Sequence, residues 1–254
     1  MSRIAIVSAM AEELRGLRAH LAEPTSVLRA GREFWCGRLG GQEVVLALSR
    51  IGKVAAATTV AVLLAEFPAA RVVFTGVAGG LGPAVKVGDL VVAGELVQHD
   101  MDASPLFPRH EVPLYGRARF PADAALSRAL ATAAGRVLDT LDGPGEEGRL
   151  HRDHLAELGL GHPAVHHGLV LSGDRFVCSA EASRELLERF PDALAVEMEG
   201  AAVAQVCADF GVPFAVLRVV SDRADDSAHL DFSRFVEDVA SRYTVALVRA
   251  LCEA

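Results

Sequence analysis

The residues able to do chemistry in this chain are carboxylates placed where apolar, strand-like runs stop. Glu12-Glu13 follow the run from Arg3 to Ser8, Glu197 and Glu199 follow Ala195-Val196, and Asp222 follows Phe214 to Val220. Residues 195–222 carry two of these three positions and read as strand end, helix, turn, strand. Glu199, Ala202, Val203, Val206 and Phe210 fall at i, i+3, i+4, i+7 and i+11, one face of a helix. Gly211 and Pro213 punctuate its end. Glu199 therefore opens that helix on its inward side, where an ionised carboxylate needs a partner. On spacing alone, Glu199 serves equally as a helix N-cap and Asp222 as a turn residue. The sharper alternative puts both at the carboxyl ends of sheet strands, where open α/β folds keep their ligand crevice. Three such ends meeting in one crevice supply a base, an acid and a hydroxyl-binding group. That set suits cleavage of a glycosidic bond, in which one carboxyl protonates the leaving group and another activates water.

The elements that must position these groups follow from periodicity. Arg3 to Ser8 is almost wholly apolar, as a strand buried on both faces should be. A helix begins near Ala11 with Leu14, Leu17 and Leu21 inward, and residues 26–49 read as a β-meander with turns at Gly31 and Gly40-Gly41. Gly52-Lys53 opens an Ala/Val-rich helix that Pro68 stops. Arg71 to Thr75 is a buried strand running into the glycine cluster Gly76-Val-Ala-Gly-Gly-Leu-Gly82. Strand character returns over Val87 to Val97, a proline-rich loop covers 103–113, and a helix spans Ala122 to Leu138. Residues 139–167 are polar, hold five of the nine histidines, and read as a surface insertion with one short helix. Gly168 to Ser172 is a strand, Ser179 caps a helix ending at Phe190, and a last helix starts near Phe232. Strands alternating with helices over 254 residues without a linker give a single α/β domain spanning 1–254.

Composition narrows the function. A net charge of −8 with no basic run argues against nucleic acid. No apolar run approaches a membrane span, and four scattered cysteines without a C-x-x-C fit a reducing, cytoplasmic setting. The glycine spacing is G-x-x-G-G-x-G with Pro83 next, which does not match a dinucleotide fingerprint, but it leaves backbone that a ligand can approach closely. His99-Asp-Met-Asp102 and His151-Arg-Asp-His154 lack a third and fourth ligand at a recognised spacing, so neither metal nor any other cofactor is expected, and His166-His167 read as solvated. No G-x-S-x-G elbow supports a covalent nucleophile.

Seven blocks, in order, resemble the bacterial methylthioadenosine/S-adenosylhomocysteine nucleosidases of the purine nucleoside phosphorylase superfamily. They are Ser8-Ala-Met-Ala-Glu-Glu13, Ile51-Gly-Lys-Val54, Thr75-Gly-Val-Ala-Gly-Gly80, Lys86-Val-Gly-Asp-Leu-Val91, Ser172-Gly-Asp-Arg-Phe-Val177, Val196-Glu-Met-Glu199 and Ser221-Asp222. The resemblance implies a mixed, partly barrel-like sheet flanked by helices and a nucleoside substrate. It implies Glu13 as the base that activates water, Asp222 as the acid at adenine N7, and Glu199 as ligand of the ribose hydroxyls above Met198. Phe176 and Val177 would hold adenine and Ala78-Gly79 would line the pocket. The same blocks bring Met10, Ile51, Val77, Glu197 and Ser221 to the substrate, with Arg218 and Phe232 as further contacts. It also implies a homodimer in which Phe107, from residues 103–113, caps the partner's pocket. Val77 stands where the family commonly has a small polar residue. A phosphorylase on the same fold would need anion donors near the sugar; Glu12-Glu13 have the wrong sign, and Arg218 is the one cation placed to offset them. A non-catalytic nucleoside-binding protein of this fold is the remaining alternative.

Overall fold

Strand β5 (Arg71–Gly80) is the element on which the sheet turns, because its two halves have different neighbours. In the computed structural model, which describes residues 3–141, 151–157, 160–225, 235 and 239–253, Ile4 to Ser8 of β1 (Ile4–Ser8) pair in parallel with Arg71 to Thr75. On the other side β10 (Phe214–Asp222) runs parallel to β5 from Val72 to Gly79. At its far end β5 has left β1, and Gly79 and Gly80 pair antiparallel with Val196 and Ala195 of β9 (Ala193–Glu197). β9 continues to β8 (Val165–Ser172), β8 to β6 (Leu90–Gln98), and β6 returns antiparallel to β10. Five strands, β10-β6-β8-β9-β5, thus close a ring, from which β1, β4 (Gln42–Leu48), β3 (Arg32–Leu39) and β2 (Ala22–Arg29) extend as an open wing. A short strand, β7 (Arg119–Pro121), borders β6.

The glycine cluster is therefore strand as far as Gly80, where the sequence reads a strand ending at Thr75. Cβ atoms would meet Arg218 Nη1 at 2.6 Å from Gly76, Ala224 Cβ at 2.8 Å from Gly79 and Val220 Cγ1 at 2.9 Å from Gly80. Glycine is depleted in strands for want of a packing side chain, but here neighbouring groups occupy that space.

Helices cover both faces. One layer buries α1 (Ala11–Ala19), α3 (Ala124–Asp139) and α7 (Ser241–Cys252) through Leu17, Leu130 and Leu247 against Ile4, Val73 and Leu217. The other buries α2 (Lys53–Glu66) and α6 (Gly200–Phe210) through Val60, Leu63, Val203 and Cys207 against Val45, Phe74 and Val216. α5 (Ala180–Arg189), capped by Ser179 as expected, closes a third apolar cluster with Leu169, Leu171 and Val196. The insertion is less of a surface excursion than its polarity implies. α4 (Arg152–Glu157) buries Leu155 fully, and residues 165–167 belong to β8, where His166 Nε2 lies 2.8 Å from buried Asp89. Residues 142–150 lie outside the described part. The expected start of the last helix near 232 lies outside the described residues; Phe235 is helical and helical backbone runs on from 239 into α7. Among the described residues no helix is long and apolar enough to cross a membrane.

Because Gly76 faces the Arg218 guanidinium, Gly76→Ala should destabilise the fold by about 1–3 kcal/mol through overpacking. A denaturant midpoint unchanged from wild type would refute that reading.

Candidate active site

The carboxyl ends of β1, β5, β9 and β10 meet around one cavity of about 340 Å³, within the range of small-molecule sites. Ala9 and Met10 arrive from β1, Val77, Ala78 and Gly79 from β5, and Val196, Glu197, Met198 and Glu199 from β9 and the turn into α6. β10 brings Ser221 and Asp222, the segment after β8 brings Arg175, Phe176 and Val177, and Ile51 stands before α2. Ile51 and Phe176 remain 59% and 42% exposed, which marks the mouth.

Asp222 is aimed by a bulge. The β10–β5 register shifts between Val220 and Asp222, so Ser221 is the extra residue, and Ser221 and Asp222 both reach the cavity. Ser221 Oγ donates to Asp222 Oδ2 at 2.8 Å and Ala224 N–H donates to Oδ1 at 2.8 Å. Gly79 makes room, since a Cβ there would sit 3.0 Å from Asp222 Oδ1.

Glu13 lies in the first turn of α1, fully buried behind Met10. The Met10 amide donates to Glu13 Oε2 at 3.3 Å and Thr244 Oγ1, from α7, donates to Oε1 at 3.4 Å. Burial pushes its pKa up to about 7, against the pull of the Arg218 charge. Glu199 is the N-cap residue of α6, yet its carboxylate does not cap that helix. Glu199 Oε1 accepts the Gly52 amide at 2.8 Å instead. Burial, then repulsion from Glu197, raises its pKa to about 7, with Arg218 and the Gly52 amide acting the other way.

The capping task falls to Glu197. Its carboxylate accepts the Gly200 amide at 2.8 Å and the Glu199 amide at 3.1 Å, a hydrogen bond from Ser172 Oγ, and Arg218 Nη2 at 2.5 Å. Glu197 reaches the cavity wall with its oxygens already committed. Arg218 does not line the cavity: it is fully buried, ion-paired to Glu197, with its guanidinium carbon 4.1 Å from the Phe74 ring centroid. Its expected direct contact with substrate is therefore replaced by an action through its neighbours. The reason is the register, which sets Arg218 opposite side-chain-free Gly76.

Phe107 sits in the 103–113 loop, half-buried and away from the cavity of its own chain, while Phe232 falls outside the described residues. Ala9, Arg175 and Val196 line the cavity without having been singled out from the sequence. The Asp-Arg-Phe-Val block held the clue for Arg175; the other two are anonymous apolar residues beside named ones. Among the described residues no group of His, Cys, Asp and Glu is arranged to hold a metal ion.

The closed ring and this cavity are those of a nucleoside-processing α/β protein, and the chain belongs to the phosphorylase superfamily, whose profile matches residues 3–253. Within it, the 5′-methylthioadenosine/S-adenosylhomocysteine nucleosidase of Geobacillus thermodenitrificans is 38% identical over 98% of this chain and 95% of its own. The Neisseria meningitidis nucleosidase of the same name, solved in complex with methylthio-immucillin-A, superposes with a TM-score of 0.84 at 36% identity, covering 100% of this chain and 99% of that one. A futalosine hydrolase mutant of Helicobacter pylori also superposes, with a TM-score of 0.80 at 32% identity over 99% of this chain and 98% of that one.

A carboxyl group whose pKa rises from 4.5 unfolded to about 7 folded stabilises the fold fully below pH 4.5, and that stabilisation is lost as pH rises to about 7. Glu13→Gln, which keeps the neutral shape, should therefore melt above wild type at pH 8, by on the order of 3 kcal/mol in stability, with the gap closing towards pH 4.5. Equal melting at both pH values would show that Glu13 is not held protonated by the fold.

Proposed function

We propose that this protein hydrolyses the N-glycosidic bond of 5′-methylthioadenosine, S-adenosylhomocysteine or a related 5′-substituted adenosine, releasing adenine and the 5-substituted ribose. The observation that carries the reading is the meeting of Asp222 and Glu199 on the wall of one cavity, with Glu13 buried behind the wall residue Met10, whose amide it accepts. Asp222, protonated, donates to adenine N7 as the C1′–N9 bond breaks. Glu13, ionised, takes a proton from the water whose oxygen bonds to C1′. Glu199 accepts from the ribose hydroxyls, and Met198 lies under the sugar. Phe176 stacks on adenine beside Val177, whose backbone meets the base edge, while Ile51 and Met10 flank the 5′-substituent. A base with a pKa of about 7 is tuned to work near neutrality.

Hydrolysis is favoured over phosphorolysis by charge. Glu197 and Glu199 line the site with Glu13 behind it, and Arg218, the one fully buried cation among the described residues, is engaged by Glu197, which leaves an incoming phosphate facing carboxylates. Adenine release from a panel of 5′-methylthio, homocysteinyl and futalosine-type substrates, with and without phosphate, tests the assignment. Phosphate-independent turnover is expected; a strict need for phosphate and a ribose 1-phosphate product would overturn it. Asp222→Asn and Glu13→Gln should each lower kcat by ~10²–10⁴-fold. In wild type, kcat/KM should fall on acidification through about pH 7, as the Glu13 base becomes protonated.

The protein is further proposed to act in the cytoplasm as a two-fold dimer whose 103–113 loop caps the partner's cavity. Val112 folds back into the chain's own core at 4% exposure, but Leu106 stands 85% exposed and Phe107 is half-buried at the same loop. Phe107→Ala should then weaken long-tailed substrates more than adenosine itself. A fully active monomer in sedimentation would refute the dimer, and equal losses on all substrates would refute the cap.

A further inference from the structure

Helix α2 has no cap of its own. Its N-cap position is Gly52, at φ 96°, and its first turn contains no acidic residue. The leading amides of a helix need acceptors from elsewhere, and two are met by carboxylates distant in the chain. Gly52 N–H donates to Glu199 Oε1 at 2.8 Å, and Lys53 N–H donates to Asp174 Oδ1 at 2.8 Å. The first acceptor is a carboxylate of the cavity wall. The second begins the segment that places Arg175, Phe176 and Val177 on the cavity. A Cβ at Gly52 would stand 3.2 Å from Asp174 Oδ1, so the approach also needs glycine.

Lys53 itself has the wrong sign for its place, since a cation in the first turn opposes the helix dipole. Its side chain is also mostly buried, at 15% exposure, which requires a partner for the charge. That partner is Asp100, whose Oδ1 lies 2.6 Å from Nζ, with Gln98 Oε1 at 3.2 Å and Asp174 Oδ2 at 3.9 Å. Asp100 Oδ2 in turn accepts the Asp174 amide at 2.9 Å. Gln98 Nε2 donates to Gln205 Oε1, at 2.8 Å, on the helix that Glu199 begins. One ammonium thus gathers the end of β6, the segment after β8 and the start of α2, and every thread leads to Glu199 or the Phe176 segment.

We propose that Lys53 is a positioning residue that holds the Gly52 amide on Glu199, and thereby sets Glu199 against the ribose hydroxyls. This rests on the assignment of Glu199 to those hydroxyls. A group that merely braces the fold would affect all nucleosides alike. A group that acts through Glu199 matters only when the substrate has hydroxyls for Glu199 to hold.

The test compares 5′-methylthioadenosine with its 2′,3′-dideoxy analogue on wild type, Lys53→Met and Lys53→Arg. Small misplacements of a positioning group cost up to about 100-fold. Lys53→Met should accordingly lose roughly 10- to 100-fold in kcat/KM on the ribonucleoside, against less than about 3-fold on the dideoxy compound. Lys53→Arg should recover most of the loss. The same pair of ligands, titrated calorimetrically into Asp222→Asn with and without Lys53→Met, reads the contrast without turnover, so a failed hydrolase assignment is distinguishable from a failed clamp. A selective loss on the ribonucleoside in either format supports the proposal. Equal losses on both compounds, no loss at all, or no rescue by arginine would overturn it.

Discussion

A guanidinium sealed from water and a carboxylate bonded on four sides hold the centre of this molecule. Arg218 and Glu197 meet at 2.5 Å with both side chains almost wholly buried. Removing either partner of such a pair leaves an uncompensated buried charge, at a cost of about 3–5 kcal/mol. Much of the local architecture reads as accommodation of that pair. β5 has no side chain at Gly76, Phe74 offers its ring face to the guanidinium, and Ser172 and the first amides of α6 complete the shell of Glu197. The pair also joins β9 to β10, two strands that flank β5 on different stretches of its length.

From that buried position Arg218 governs groups it does not touch. Its charge is the largest influence holding down Glu13 against burial, and the largest holding down Glu199 against burial and repulsion from Glu197. Both carboxyls are deep enough that burial alone drives them towards the neutral form. Their balance near neutrality sets desolvation against the Arg218 charge and the amides that bond them. The site therefore exchanges stability for reactivity, as working sites commonly do.

Much of this was legible before any coordinates. Period and punctuation located β1, the β2–β4 meander, α3 and α5, and the strand ends carrying Glu13, Glu199 and Asp222, because each is a local pattern. What stayed hidden is tertiary. Glycines 76, 79 and 80 read as the end of a strand, since nothing local reveals that Arg218, Ala224 and Val220 fill the space beside them. Arg218 read as a candidate anion contact because its partner is remote, on β9. His166 read as solvated because Asp89, its partner, lies 77 residues earlier. The Lys53, Asp100 and Asp174 network joins three segments by polar bonds that leave no periodicity.

The closure of the ring has a consequence for how the molecule comes into being. Val72 to Gly79 must wait for Phe214 to Asp222 to be made before their shared edge can form, and no hairpin shortens that separation. Pairings between such distant segments are slow to find, because loop entropy is lost before contacts compensate. Asp222, the buried Arg218 and the seam that joins the two ends of the ring all arrive on this one strand. A growing chain can assemble its β2–β4 wing early, whereas the ring closes only once β10 has been made. Until then β5 exposes an unpaired apolar edge, of the kind that invites pairing with another chain, and β10 covers it.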